Sequence, residues 1–367
     1  MHLERLSLIN YKNIKELEIE LSPKINCFIG NNGMGKTNLL DAVYYLSFCK
    51  SYFHSTDQLN IKHEELFMVL EGNYKRKEMD ELIYCGVKRG QKKNFKRNKK
   101  EYKKLSEHIG LLPIVMVSPA DVRLITDGSE ERRKYMDSVI SQYDRKYLDD
   151  LIRYNRVILQ RNKLLKDFAR RGKFEEDSLV IWDEQMIILS ASIHEKRKGF
   201  LNKLMPVFQE YYNIISQGNE LVNLEYKSQL NNHEMRDLLR HARLKDQVLQ
   251  YTTVGIHKDD LTLSLGDYPI KKMGSQGQQK TYLIALKLAQ FEFIKKLSDY
   301  NPILLLDDIF DKLDTQRVEQ IVHLVSEERF GQIFISDTNR DHLDQILSSS
   351  DLTYKLFALD GGSVTNL

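Results

Sequence analysis

Residues 30–37 read Gly-Asn-Asn-Gly-Met-Gly-Lys-Thr, a full match to the pattern Gly-x-x-x-x-Gly-Lys-Thr. No other feature constrains the fold as strongly, because such a loop works only between a strand and a helix. The apolar run Ile25–Ile29 precedes it, and Asn38–Phe48 is a predicted helix. Glycines let successive backbone N–H groups point at a phosphate, and the helix N-terminus adds its dipole. The sequence therefore predicts an ATP site formed by Gly30, Asn31, Asn32, Gly33, Met34, Gly35, Lys36, Thr37 and Asn38.

A loop of this kind needs a distant acidic group, and the chain supplies two. The apolar strand predicted at Ile303–Leu306 ends in Asp307 and Asp308, which we call the aspartate pair. Open α/β sheets place their ligands at this end of their strands. Thr37 and Asp307 are the predicted Mg²⁺ ligands, with Asp307 acting through water, and Asp308 would polarise the attacking water. The candidate catalytic residues are Lys36, Asp307 and Asp308.

The segment Gly274–Gln278, here called the signature segment, reads Gly-Ser-Gln-Gly-Gln at the start of a predicted helix. It resembles the LSGGQ signature of ABC-type ATPases, although Gly274 replaces leucine and Gln276 replaces glycine. In that family the signature of one subunit closes on the nucleotide of the other. The resemblance thus implies an ATP-dependent homodimer that uses Ser275, Gly277 and Gln278.

The residues after the aspartate pair extend this resemblance. Phe310–Asp314 is similar to the D-loop, which ends in Leu-Asp and crosses the dimer interface, so Asp314 joins the predicted nucleotide site. Most ABC ATPases carry glutamate at the position of Asp308, and the shorter side chain implies slow hydrolysis. Asp337 and Thr338 stand where transporters carry a histidine, and the next histidine is His342. The switch residue and the Q-loop glutamine stay unassigned.

The spacing of apolar residues divides the chain. Residues 1–120 and 251–367 contain strand and helix patterns that predict an α/β lobe, and the resemblance described above implies that this lobe is an ABC-type ATPase head with a mixed sheet. Residues 121–250 are poor in glycine and proline and show apolar residues at helical spacing, which predicts an inserted helical lobe. This insert is too short, and too loosely heptad, for a long coiled coil. It is longer than the corresponding part of transporter ATPases.

Residues 88–104, here called the basic segment, contain a single acidic residue, Glu101. A hairpin with this charge would attract DNA phosphates without reading sequence, although charge that only keeps a surface hairpin soluble is the competing interpretation. The overall net charge of +3 does not decide between them. The tentative DNA-binding residues are Lys88, Arg89, Lys92, Lys93, Lys96, Arg97, Lys99 and Lys100, followed by Lys103 and Lys104.

Several further segments make the whole chain similar to the RecF family of bacterial ABC-type ATPases. They are Leu8–Ile14, Gly30–Gly33, Ser118–Asp121, Gly128-Ser129 with Arg132-Arg133, Gln160–Asn162 and Gly255–Asp260, where Ile256 replaces the family's usual proline. The resemblance implies that Lys12 and Asn13 lie beside the nucleotide. It also implies a cytoplasmic protein that dimerises on ATP and binds double-stranded and gapped DNA. With RecO and RecR, such proteins help RecA onto gaps and support the SOS response, while weak ATP hydrolysis times release.

Three other classes of function compete with this interpretation. The long insert and the absent switch histidine argue against a transporter motor. Too few residues follow Asp314 for a nuclease domain, and a structural DNA tether would need long arms. No apolar run is long enough for a membrane helix. We expect Cys27, Cys49 and Cys85 to be reduced and buried, Arg132 and Arg133 to form structural pairs, and His257 to be a turn or packing residue.

Overall fold

The computed structural model describes residues 1–54, 56–218, 220–311, 313–327, 329–348 and 352–367. These residues form two compact units. Unit 1 comprises Met1–Val122, Glu210–Asn219 and Ser275–Leu367, and unit 2 comprises Arg123–Gln209 and Glu220–Gly274. No helix among the described residues is both long and apolar enough to span a bilayer.

Unit 1 contains both strands and helices, and unit 2 is mainly helical. The strands are β1 (His2–Tyr11), β2 (Ile14–Glu20), β3 (Ile25–Ile29), β4 (Phe67–Arg76), β5 (Met79–Lys88), β6 (Asn94–Arg97), β7 (Lys100–Glu101), β8 (Ile114–Val117), β9 (Val222–Lys227), β10 (Asp260–Leu265), β11 (Tyr268–Pro269), β12 (Ile303–Asp307), β13 (Ile333–Asp337), β14 (Tyr354–Asp360) and β15 (Ser363–Asn366). The helices are α1 (Lys36–Phe48), α2 (Arg123–Thr126), α3 (Ser129–Tyr143), α4 (Arg145–Arg171), α5 (Asp177–Ser216), α6 (Met235–Leu249), α7 (Ile270–Met273), α8 (Gln276–Leu297), α9 (Thr315–Ser326) and α10 (Arg340–Ser348).

The first sheet of unit 1 has the order β15-β14-β3-β13-β12-β8 and positions the predicted nucleotide site. All its neighbours pair in parallel except β14 and β15. Strands β12 and β13 are buried along their whole length, as expected for parallel strands covered on both faces. Because the central strands run in parallel, the segments after β3, β12 and β13 meet at one edge. The predicted mixed sheet is confirmed.

The second sheet of unit 1 is antiparallel, with the order β2-β1-β4-β5-β6-β7. Helix α1 contacts strands of both sheets. Its Leu39, Leu40, Ala42, Val43 and Leu46 are almost completely buried, as befits a helix that is apolar on most of its circumference. Residues of α1 and of both sheets form one apolar core. The helix after the phosphate loop therefore lies in the centre of unit 1, where its position is tightly constrained.

Unit 2 differs from the predicted insert in containing a strand and in its boundaries. Strand β9 lies in a segment expected to be helical, and it pairs with β10 in the three-stranded sheet β11-β10-β9. This pairing groups residues 251–274 with unit 2, whereas the head was predicted to resume at residue 251. The end of α5, from Glu210, groups with unit 1. The pairing of β9 with β10 joins distant segments, so local periodicity does not reveal it.

Two buried arginines hold unit 2 together. Arg161 donates to Asp183 at 2.8 Å and to Asp246 at 2.7 Å, and its side chain is fully buried. Arg197 donates to Asp259 at 2.9 Å and to Asp137 at 2.8 Å. Removal of one partner from a buried ion pair is strongly destabilising. The network predicts that the packing of the long helices depends on these cations.

The predictions for the smaller features can be checked directly. Arg132 forms a two-pronged ion pair with Asp260, and Arg133 donates to the carbonyl oxygen of Asp259 at 2.6 Å, so their structural role is confirmed. His257 packs in a short turn, where Nδ1 lies 2.9 Å from the Tyr154 hydroxyl. Burial lowers the pKa of His257 to about 4. Cys27, Cys49 and Cys85 are buried and free, as expected.

Candidate nucleotide site

The phosphate loop (Gly30–Thr37) follows β3 and leads directly into α1. Gly33 and Gly35 have φ angles of 84° and 108°, which L-residues rarely adopt. A Cβ atom on Gly30 would lie 2.6 Å from the carbonyl oxygen of Leu359, so that position admits no side chain. The backbone conformation therefore favours glycine at positions 33 and 35, and packing requires it at position 30. Both effects are independent of phosphate binding.

The two residues that begin α1 point into this edge of the sheet. Lys36 is only 4% exposed, and its Nζ donates to the carbonyl oxygen of Gly30 at 2.7 Å and to that of Asn31 at 3.3 Å. Thr37 Oγ1 donates to the Asp307 carboxylate, with distances of 2.9 Å to Oδ1 and 3.1 Å to Oδ2. The two predicted Mg²⁺ ligands, far apart in sequence, are thus direct neighbours.

This pair fits Mg²⁺ chemically. Mg²⁺ binds oxygen, keeps several waters and is commonly held in proteins by one or two carboxylates together with substrate phosphates. One hydroxyl and one carboxylate beside a phosphate loop satisfy that requirement. Among the residues described, no group of three or more His, Cys, Asp or Glu residues is arranged to hold a metal.

The aspartate pair sits at the end of β12, and its two members differ in environment. Asp307 accepts from Ser336 Oγ at 2.7 Å, and burial raises its pKa, although this hydrogen bond and the one from Thr37 oppose the shift. Asp308 has a φ of 43°, and its N–H lies 3.2 Å from the carbonyl oxygen of Ser336. Burial also raises the pKa of Asp308, while Lys36 opposes the shift. The strained backbone turns Asp308 out of the strand that holds Asp307.

Lys12 and Asn13 have different surroundings. Asn13 Oδ1 accepts from Asn38 Nδ2 at 2.7 Å, and the Asn13 side chain lies against Gly35, so it touches the phosphate loop. Lys12 has a φ of 52°, and its ammonium forms an ion pair with the buried carboxylate of Asp41. Asn13 therefore contacts the phosphate loop directly, whereas Lys12 contacts α1. That both lie beside the nucleotide stays a prediction.

The rest of the loop is more open. Asn31, Asn32 and Gly33 are exposed. Met34 Sδ accepts from the N–H of Gly361 at 3.3 Å, which ties the loop to the turn between β14 and β15. The phosphate loop is therefore exposed at residues 31–33 and held by the contact of Met34 with Gly361.

The signature segment begins α8 with a well-formed cap. Ser275 Oγ accepts from the N–H of Gln278 at 3.2 Å, and Gln278 Oε1 accepts from the N–H of Ser275 at 2.9 Å. Ser275 itself is exposed. This reciprocal capping box fixes the first turn of α8 and leaves the Ser275 side chain at the surface. Gln278 therefore caps the helix, a structural role that the resemblance to the LSGGQ signature did not indicate.

Two basic residues that sequence reasoning missed connect the signature segment to the D-loop. Arg317 pairs with Asp314 at 3.2 Å, and its Nη1 would lie 2.7 Å from a Cβ atom on Gly277. Lys280 Nζ donates to the carbonyl oxygen of Asp308 at 3.4 Å and also to that of Asp311. In the sequence, only its position five residues after Ser275 suggests that Lys280 lies near the site. Lys312 of the predicted D-loop lies outside the described residues.

The unassigned switch position has a partner in the structure. Asp337 ends β13, and its Oδ2 lies 2.9 Å from Nδ1 of His342 on α10. The His342 ring also packs against Phe310, with ring centroids 5.2 Å apart. Helix α10 therefore places His342 in contact with Asp337.

The basic segment contains two kinds of cation. Lys93 Nζ donates to the carboxylate of Asp57 at 2.8 Å and also to the carbonyl oxygen of Cys49. Arg97 forms a two-pronged ion pair with Glu81, which is 3% exposed. These two tentative DNA-binding residues therefore have structural partners within the protein. The exposed basic residues are Lys88, Arg89, Lys92, Lys99, Lys100, Lys103 and Lys104, and Lys96 is half-buried over the Tyr84 ring.

Comparison with known proteins gives a single answer. Residues 2–362 match the family model of the RecF/RecN/SMC N terminal domain. The DNA replication and repair protein RecF of Phocaeicola vulgatus is 56% identical over 367 residues, covering 100% of this chain and 98% of the relative. The protein of the same name from Flavobacterium johnsoniae is 53% identical over 359 residues, covering 98% and 100%.

Solved structures agree with the sequences. The recombination mediator protein RecF-ATP in the RecFOR pathway is 29% identical, with a TM-score of 0.89 that covers 100% of this chain and 97% of the other. An SMC head bound to the C-winged helix domain of ScpA has a TM-score of 0.59 at 16% identity, which shows a shared fold. The expected ABC-type head is confirmed, and the part of the chain that the structure describes forms no long coiled coil. This chain belongs to the RecF family of DNA replication and repair proteins.

Proposed function

We propose that this chain is an ATP-controlled DNA-binding switch in DNA replication and repair. The observation that carries the proposal is the contact between Thr37 and Asp307, which joins the phosphate loop to the aspartate pair at 2.9 Å. This arrangement supports binding of ATP with Mg²⁺ through the loop, Asn38 and Asp307. The solved RecF-ATP structure, to which this chain is similar over its whole length, supports the binding of ATP.

The residues of the site suggest slow hydrolysis. Lys36 would neutralise charge on the β- and γ-phosphates, and Mg²⁺ would polarise the phosphate. Asp308 would orient the attacking water, but it has a short side chain on a strained backbone. We propose weak ATP hydrolysis, stimulated by DNA, that serves as a release timer rather than as a motor.

Dimerisation would complete the site. Ser275 is exposed at a capped helix N-terminus, where the helix dipole favours an anion. We propose that Ser275, Gly277, Gln278 and Asp314 of one subunit close on the nucleotide held by the other. ATP would then drive formation of a homodimer, and that dimer is the proposed DNA-binding form.

The exposed residues of the basic segment provide the proposed contact to DNA. Lys88, Arg89, Lys92, Lys99 and Lys100 would bind phosphates of double-stranded or gapped DNA without reading bases. Lys93 and Arg97 would instead hold the segment in place through Asp57 and Glu81. The family's role further suggests cytoplasmic action with RecO and RecR, loading of RecA at gaps and support of the SOS response.

The first experiment measures affinity for a gapped duplex with and without ATP, for the native chain, Lys36→Met and Ser275→Arg. Sedimentation of the same samples reports dimer formation. We expect ATP to raise both affinity and dimerisation in the native chain. Neither variant should show this increase, while Ser275→Arg keeps ATP binding. DNA binding that ignores ATP in a chain that stays monomeric would contradict the proposed gating.

A second experiment tests the DNA surface by its salt dependence. The triple variant Lys92→Gln, Lys99→Gln and Lys100→Gln should bind DNA more weakly. For every phosphate that the variant no longer neutralises, the negative slope of log affinity against log salt should become shallower by about 0.9. The matched control changes three exposed lysines elsewhere, Lys15, Lys203 and Lys296, to glutamine. Equal slopes in both triple variants would place the DNA-binding surface elsewhere.

A further inference from the structure

Helix α8 carries the signature segment at its start and a buried lysine, Lys287, roughly three turns later. The Lys287 side chain is 6% exposed, and its Nζ lies 2.9 Å from Asp121 Oδ1. It also donates to the Tyr52 hydroxyl at 2.9 Å. A buried ammonium is stable only when it is paired and hydrogen-bonded. These contacts therefore fix the distance between α8 and the two segments that carry Asp121 and Tyr52.

The first of these segments leads to the predicted Mg²⁺ ligand. Asp121 lies four residues after the end of β8, and its Oδ2 accepts from the N–H of Ser118 at 2.8 Å. Ser118 Oγ in turn donates to Asp307 Oδ2 at 3.5 Å. The carboxylate of Asp121 thus faces Lys287 with one oxygen and, with the other, holds the residue that contacts Asp307.

The second segment leads to the helix after the phosphate loop. The Tyr52 hydroxyl donates to Asp121, and the Tyr52 N–H donates to Asp41 Oδ1 at 2.7 Å. Asp41 lies on α1, one turn after Thr37, and is completely buried. It also pairs with Lys12. A change at the phosphate loop that moves α1 would therefore reach Tyr52 through a direct hydrogen bond.

We infer that Lys287 is a positioning residue that couples ATP binding to the orientation of α8 and of its signature segment. The inference rests on the proposed function in one respect, that the phosphate loop binds ATP. One branch begins at Asp307, a predicted Mg²⁺ ligand, the other begins at Asp41 on the helix that follows the phosphate loop, and the two meet at the same ammonium. Because separation of a buried charge from its partners is costly, α8 follows the two segments as they move. A lysine that served only to stabilise the fold would not transmit the presence of ATP.

The test is hydrogen exchange measured by mass spectrometry with and without Mg²⁺ and ATP. The samples are kept at a protein concentration at which sedimentation shows monomers, so that dimer contacts do not contribute. In the native chain we expect ATP to slow exchange in residues 37–41 of α1 and in residues 276–280 of α8. The expected change is on the order of tenfold, within the usual range for coupled sites.

Three variants separate coupling from stability. Lys287→Met should keep the response of α1 to ATP and reduce that of α8 to less than about twofold, below the usual range for coupled sites. Lys287→Arg, which keeps the cation, should restore it. Lys296→Met is the matched control, since Lys296 is exposed on the same helix. A native response of α8 in Lys287→Met, or an equal loss in Lys296→Met, would overturn the inference.

The remaining outcomes distinguish the inference from the proposed function. If Lys287→Met does not fold, the double variant Lys287→Met with Asp121→Asn removes both charges, and the same loss is expected at α8. If α8 responds to ATP through Lys287 but the native chain never dimerises at higher concentration, the inference stands and the proposed dimer fails. If neither α1 nor α8 of the native chain responds to ATP, both fail.

Discussion

The conformation of the phosphate loop predicts that Gly35→Ala and Gly33→Ala have different costs. Both glycines have a positive φ, 108° at Gly35 and 84° at Gly33. A Cβ atom on Gly33 would meet nothing within 4 Å, whereas one on Gly35 would lie 2.9 Å from the side-chain amide of Asn13. Gly33→Ala therefore isolates the cost of the backbone conformation, and Gly35→Ala adds a steric term.

The magnitudes follow from these distances. A left-handed conformation costs an L-residue about 1–2 kcal/mol, which is the expected loss of unfolding free energy in Gly33→Ala. In Gly35→Ala the Asn13 side chain must move, which breaks its hydrogen bond with Asn38, now 2.7 Å long. That bond contributes about 1 kcal/mol, so the total loss for Gly35→Ala is about 2–3 kcal/mol. Asn13→Ala alone should cost about 1 kcal/mol for the same reason.

The assay is urea unfolding without nucleotide for the three single variants and for Gly35→Ala with Asn13→Ala. Because Asn13→Ala already lacks the bond that Gly35→Ala breaks, the double variant should be about 1 kcal/mol more stable than the sum of the singles predicts. ATP affinity should fall in the same order as stability. Equal losses in Gly33→Ala and Gly35→Ala, together with additive effects of Asn13→Ala, would refute the steric reasoning.

Three further predictions concern single buried or linking groups. Lys280→Met should reduce the turnover of ATP and leave ATP affinity unchanged, because Lys280 Nζ donates to the carbonyl oxygen of Asp308 at 3.4 Å. Steady-state kinetics would measure this loss, with Lys280→Arg, which keeps the cation, as the control. Arg161→Met should lower the unfolding free energy in urea by about 3–5 kcal/mol, since it leaves the carboxylate of Asp246 buried without its cation. The pKa of His257 is about 4 when folded and 6.5 when unfolded, so the unfolded chain takes up the proton first as pH falls. Stability should decline between those pH values by up to about 1.4 kcal/mol per unit, and the decline should be shallower in His257→Gln.

Much of the candidate site could be predicted because its signals are local. The phosphate loop requires glycine at particular backbone angles, and a motif of this kind appears as consecutive residues. The position of Asp307 follows from the buried strand before it, since a parallel strand of apolar residues ends at the ligand edge of its sheet. The proximity of Thr37 and Asp307 therefore follows from two local motifs.

Other parts of the site depend on contacts that no local pattern marks. The role of Lys280 arises from a fold that places the first turns of α8 beside the loop after β12. Lys93 and Arg97 look like free cations within the basic segment, yet Asp57 and Glu81 reach them from other parts of the chain. Charge in a sequence predicts attraction to phosphate, but only the fold shows which cations already have partners.

The sequence by itself determined the class of the head, the phosphate loop, the aspartate pair and the helical character of the insert. Each depends on backbone angles or on the period of apolar residues along a few turns or one strand. Tertiary structure alone decided that β9 pairs with β10, that Lys12 pairs with Asp41 and that Lys287 joins Asp121 to Tyr52. These contacts join residues that are distant in the chain, and their energies come from burial and hydrogen bonds that exist only after the segments have packed together.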